Sequence, residues 1–112
     1  MRERDIERIL VDEVRKLGGR AYKWVSPGND GVPDRIVVLP GRAPVFVELK
    51  SETGKLTSLQ EVQIRRLEEL GQLVRVVRGI EGLSEFFQGL SRTFQDPRFE
   101  ETSKALDCRY DL

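Results

Sequence analysis

The stretch GVPDRIVVLPGRAPVFVELK, Gly31 to Lys50, restricts the fold more than any other part of the chain. Two runs rich in β-branched and aromatic residues, RIVVL (Arg35 to Leu39) and VFVELK (Val45 to Lys50), flank the turn-forming PGRAP, the pattern of an antiparallel hairpin. Side chains alternate along a strand, so Val45, Val47 and Leu49 face apolar packing while Glu48 and Lys50 point together to the other side. Asp34, at the head of the first run, falls opposite Glu48 or Lys50, depending on the loop register. Directly opposed Cβ atoms lie about 5 Å apart and diagonal ones about 7–8 Å. In either register, two carboxylates come close enough to share one divalent cation. Without a cation they repel, and one tends to stay protonated. Lys50 suits a different role, either holding a water or stabilising negative charge that builds on an oxygen. The competing reading is a surface ion pair between Lys50 and Asp34 or Glu48 on a solvated sheet edge.

The hairpin needs partners. Arg2 to Leu17 carries Ile6, Leu10, Val14 and Leu17 at helical spacing, and Gly18-Gly19 stops it. AYKWV (Ala21 to Val25) is a short strand, followed by the turn-rich SPGNDG. Thr57, with Gln60 three residues on, has the capping-box pattern and opens a helix whose apolar side is Leu59, Val62, Leu67 and Leu70. LVRVVR (Leu73 to Arg78) is a strand reached by a helical crossover, so it lies parallel to its neighbour. IEGLSEFFQGL (Ile80 to Leu90) is a further helix, with Phe86, Phe87 and Leu90 among its contact residues. The order αβββαβα predicts an α/β domain over residues 1–90, a mixed sheet flanked by helices. From Ser91 the apolar pattern dissolves into SRTFQDPRFEETSKALDCRYDL. Residues 91–112 read as a C-terminal tail, weakly packed or partly disordered, with a short helix near Arg98 to Leu106.

Composition removes several chemistries. The chain has 112 residues, 19 basic and 19 acidic, no histidine and the single cysteine Cys108. A zinc site of Cys and His is excluded, as is any triad that uses His. A metal here takes oxygen ligands, which selects Mg²⁺ or Mn²⁺. The charged N-terminus MRERDIERIL has no signal-peptide core, and no apolar run approaches a membrane span.

The combination Gly-x-Pro-Asp, strand, Glu-x-Lys, Gly-Lys, then Gln60 at a helix start resembles the VRR-NUC nucleases, a branch of the PD-(D/E)XK phosphodiesterases. ERDIERILVDEVRKLGG, YKWVSPGNDGVPDRIVVLPG, VFVELKSETGKLTSLQ and VRVVRG are similar to family blocks in the family's order. The resemblance implies a restriction-endonuclease-like αβββαβ core. It implies Asp34 and Glu48 as metal ligands with the backbone carbonyl of Leu49, Lys50 as catalytic lysine and Gln60 beside them. The acid of the first helix is Glu3 or Glu7, one turn apart on one face; Glu7, further from the helix end, is the favoured ligand. The implied activity is a Mg²⁺- or Mn²⁺-dependent DNA endonuclease, structure-selective on branched DNA such as four-way junctions. The stand-alone, phage-like form of the family implies a homodimer in the cytoplasm of a bacterial or phage-infected cell. The alternatives are a non-catalytic DNA-binding or assembly module that keeps the fold, and a restriction-like sequence-specific enzyme. Lys55, Lys23, Arg35 and Arg75 are the candidate DNA contacts, with Arg42 adding to a positive rim near the hairpin. Arg75 and Arg78 bind phosphate or pair with helix glutamates. Trp24 stacks on a base or belongs to the core.

Overall fold

The computed structural model of the protein describes residues 1–112. Helix α1 (Glu3–Lys16) leads into strands β1 (Arg20–Lys23), β2 (Arg35–Val38) and β3 (Val45–Lys50). Helix α2 (Ser58–Glu69), strand β4 (Leu73–Arg78) and helices α3 (Gly79–Phe94) and α4 (Pro97–Arg109) follow. The sheet order is β1-β2-β3-β4, antiparallel across the first two pairs and parallel between β3 and β4. This is the mixed sheet flanked by helices that the strand and crossover pattern predicts, and the restriction-endonuclease-like αβββαβ core that the family resemblance implies. No helix is long and apolar enough to cross a membrane.

The two sheet faces are covered unequally. Val37, Val45, Val47, Leu49 and Val77 are buried on one face in a cluster with Ile6, Leu10 and Val14 of α1 and Leu83 and Phe87 of α3. The other face meets α2, no residue of which is buried. There Trp24 packs on Phe46 with ring centroids 5.2 Å apart, which places it in the smaller apolar layer. The Thr57–Gln60 capping box forms in both directions: Gln60 N donates to Thr57 Oγ1 at 3.2 Å and Thr57 N to Gln60 Oε1 at 2.9 Å.

The segment after Ser91 corrects the sequence reading. It is neither loose nor an appendage: α3 runs to Phe94, the backbone reverses at Gln95 (φ 52), and α4 packs back on α3. Phe99, Ser103 and Leu106 are buried. Ser84 meets the hydroxyl of Ser103 at 2.9 Å and the carboxylate of Asp107. Arg109 reaches back to Glu13 of α1 at 3.2 Å. The inward stripe of α4 is Phe99, Ser103 and Leu106, so only two apolar residues mark it in the sequence. The start signal is nonetheless there: Asp96 caps the helix through Arg98 N at 3.0 Å, and Pro97 occupies its first turn.

Arg42 also moves from its expected place. Instead of joining a basic rim, it bonds Asp96 at 3.3 Å and lies 5.3 Å over the Phe94 ring, pinning the β2–β3 turn to the α3–α4 junction. Hydrogen bonds from the Arg98 side chain and backbone, then from Arg42, hold the Asp96 carboxyl down at about 2. A depressed carboxylate stabilises the fold above its unfolded value and loses that contribution as pH falls through the folded one. Asp96→Ala is therefore expected to lower the melting temperature by a few degrees at pH 7 and to change it little near pH 2. A thermal-melt series across that range checks it.

Candidate active site

Strand pairing builds the site. Arg35 stands opposite Val47, so the next step of the same register puts Asp34 opposite Glu48. That settles the alternative left open by the loop. Asp34 Oδ2 accepts the Leu49 backbone N–H at 2.8 Å, which orients the aspartate toward β3. Glu48 is 1% exposed; its Oε2 accepts from Gln60 Nε2 at 3.0 Å and lies 3.4 Å from Lys50 Nζ. Its other oxygen, Oε1, is buried without a hydrogen-bond partner. Burial first, and then the charge of Asp34, push the Glu48 carboxyl up to about 7 against the opposing pull of Lys50.

The glycine of Gly-x-Pro-Asp has a geometric reason. Gly31 has φ +89, and a Cβ there would sit 2.7 Å from the Leu59 carbonyl carbon and 2.9 Å from Gln60 N. Only glycine lets the loop before Asp34 lie against the first turn of α2. Gln63 Nε2 adds a bond to Asp30 O at 3.2 Å. Asp34, Glu48 and Gln60 are thus held together by backbone contact and not by side-chain contact alone.

The first helix contributes differently from expectation. Glu7 Oε2 accepts from Arg35 Nε at 2.8 Å, so the expected ligand and the expected DNA contact satisfy each other. Arg35 also donates to Ala21 O at 3.0 Å, bracing α1 to the sheet. Glu3 is the first-helix acid whose charge reaches Glu48, where it raises the carboxyl slightly. No group of three acidic or cysteine side chains is gathered closely enough to hold a metal ion. The residues nonetheless suit an oxygen-seeking cation: two carboxylates abut, and one buried oxygen of Glu48 has no partner. A cation there would supply the missing partner and relieve the repulsion.

Among the candidate DNA contacts, Lys55 is exposed beyond Gly54, where a Cβ would sit 3.3 Å from the Lys50 Cβ and Cδ atoms. Lys23 is exposed on β1. Arg75 pairs with Val47, which puts it on the sheet face away from Glu48, and it bonds its neighbour's carbonyl at 2.8 Å. Arg78 pairs with Lys50 and shares the face of the site. The sequence alone did not separate these two arginines, because the register of a parallel pair is not fixed by any turn between the strands.

The comparisons with known proteins agree with this geometry. The chain is 52% identical over 77 residues to "Putative nuclease p44" of Acyrthosiphon pisum secondary endosymbiont phage 1, covering 69% of this chain and 83% of that protein. A solved structure described as "VRR_NUC domain" superposes with a TM-score of 0.71 at 26% identity, over 77% of this chain and 94% of that one. A second, "VRR_NUC domain protein", shares the fold at a TM-score of 0.66 and 16% identity, over 82% and 89%. No family model matches the sequence. The chain belongs to the VRR-NUC family and carries its PD-(D/E)XK-like nuclease fold.

Proposed function

We propose that the protein is a metal-dependent DNA endonuclease that hydrolyses phosphodiester bonds and selects branched DNA. One observation carries the chemistry: Asp34 and Glu48 adjoin across β2 and β3, beside Lys50, with one Glu48 oxygen buried and unpartnered. Asp34, Glu48 and the Leu49 carbonyl would hold Mg²⁺ or Mn²⁺. The bound ion supplies Lewis-acid activation of the scissile phosphate. Lys50 orients the attacking water or neutralises charge growing on a phosphate oxygen. Gln60 fixes the Glu48 carboxylate, and the Leu49 N–H fixes Asp34. Glu3, with its freer carboxylate, is a better first-helix acid than Glu7. The Glu7–Arg35 pair is the observation that favours the binding-only alternative; it leaves Asp34, Glu48 and Lys50 without a purpose.

A homodimer suits a four-way junction, whose two-fold symmetry calls for paired cuts. The apolar residues of α3, one surface that could support it, are not free: Phe86, Phe87 and Leu90 are buried in the chain's own core. Helix α2 remains, with Leu59 57% and Leu70 73% exposed. Its first turn carries Gln60, so a two-fold axis beside α2 brings both sites to one assembly.

The test is cleavage of linear duplex, flap and four-way-junction DNA with Mg²⁺, Mn²⁺ or EDTA, with sedimentation equilibrium in parallel. Paired metal-dependent cuts on the junction by a dimer are expected. Equal cutting of all three substrates would remove branch selectivity, and paired cuts by a monomer would remove the dimer.

A further inference from the structure

We infer that the cleft between α1 and β1 binds a backbone phosphate of the DNA strand to one side of the cleavage position, an inference that rests on the nuclease reading above. The cleft has a volume of ≈ 210 Å³ and is lined by Arg15 of α1, Arg20 and Lys23 of β1 and Arg35 of β2; no acidic side chain lines it. The chain as a whole is balanced in charge, so four cations around one cleft are a local segregation and not a product of composition. Arg15, Arg20 and Lys23 make no ion pair, although many other charged side chains do.

The strand register adds a second observation. Lys23 stands directly opposite Arg35. Like charges opposed across neighbouring strands are destabilising, and Glu7 offsets only one of the two. An anion in the cleft removes the conflict. Arg35 is fixed for such a ligand: its side chain is 18% exposed and anchored by Glu7 and the Ala21 carbonyl, leaving its other N–H donors uncommitted.

Position identifies the anion. Trp24 N donates to Asp34 O at 3.0 Å, so Lys23 and Arg35 adjoin that pair along the chain; Arg35 stands opposite Val47 and Lys23 opposite Arg35, so both point to the α1 side of the sheet, away from Glu48. Strand β1 is the sheet's outer strand, and Arg15, Arg20 and Lys23 are exposed beside it. A nucleic-acid strand engaged at Asp34 would reach these cations by continuing around the outer edge of the sheet at β1.

The experiment measures affinity of the full chain for duplex DNA against salt concentration in EDTA, and kcat and KM in Mn²⁺. Loss of one phosphate contact reduces the slope of log K against log salt by about 0.9. The Arg20→Ala/Lys23→Ala double variant is expected to lose about one such unit, to raise KM several-fold and to move kcat little. Arg20→Lys should retain the slope, and Arg92→Ala, an exposed arginine on α3, should change nothing. Unchanged melting temperature excludes a folding defect. A double variant with wild-type slope and KM, in a wild type that binds and cuts, overturns the inference and leaves the nuclease reading standing. Stabilisation of wild type but not the double variant by inorganic phosphate, with the DNA slope unchanged, identifies a free-anion pocket and also overturns it. A wild type that neither binds nor cuts DNA removes the nuclease reading, and this inference with it.

Discussion

Asp34→Asn and Glu48→Gln are each expected to reduce cleavage by about a thousandfold or more. Each removes one charge from a cation site whose transition-state stabilisation amounts to several kcal/mol, and about 1.4 kcal/mol is tenfold in rate. Neither change alters core volume. Asp34 keeps an oxygen for the Leu49 N–H, and Glu48→Gln removes a charge that burial already disfavours. Stability should therefore hold within about 1 kcal/mol or rise. Lys50→Ala is expected to lower kcat by about a hundredfold. Initial rates on a cleavable junction, read beside thermal melts, check all three. A normally melting Asp34→Asn variant with full activity would remove the site.

The largest effect on stability is expected at α4. Phe99 is fully buried and lies against Phe94, with centroids 5.9 Å apart. Phe99→Ala should cost about 3–5 kcal/mol, a large share of the roughly 5–15 kcal/mol available to a domain. Urea unfolding measures it. A loss under about 1 kcal/mol would mean that α4 contributes little to the core, as its polar composition alone predicts.

The contrast between these two regions shows what is legible in such a sequence. VFVELK and LVRVVR are recognisable because β-branched runs with period-two charge have few other uses, and both strands occur as read. The capping box at Thr57 fixed the start of α2 to the residue. The pairing of Asp34 with Glu48 was legible to within one alternative, which only the turn geometry could resolve. A helix near Arg98 to Leu106 was legible, but the packing of α4 was not, because its buried stripe includes a serine bonded to Ser84, and hydropathy does not register a buried hydroxyl that finds a partner. The Glu7–Arg35 pair was not legible for a related reason. Each has the right chemistry for the site, but 28 positions separate them, and nothing local announces that they neutralise one another. Arg75 and Arg78 divide between faces by parity, and that parity acquires meaning only once β4 is registered against β3.

The position of Glu48 is the unusual feature of the molecule. A carboxylate buried beside another carboxylate, with one oxygen unsatisfied, is a poor way to build a sheet and a good way to hold a cation. Gln60 and Lys50 engage the other Glu48 oxygen, and the Leu49 N–H engages Oδ2 of Asp34. Calorimetric titration of Mn²⁺ into the wild type, Asp34→Asn, Glu48→Gln and Lys50→Ala proteins tests this directly. Saturable binding is expected in the wild type and in Lys50→Ala, and none in the two carboxylate variants. Wild-type Mn²⁺ affinity in Asp34→Asn or Glu48→Gln would contradict it.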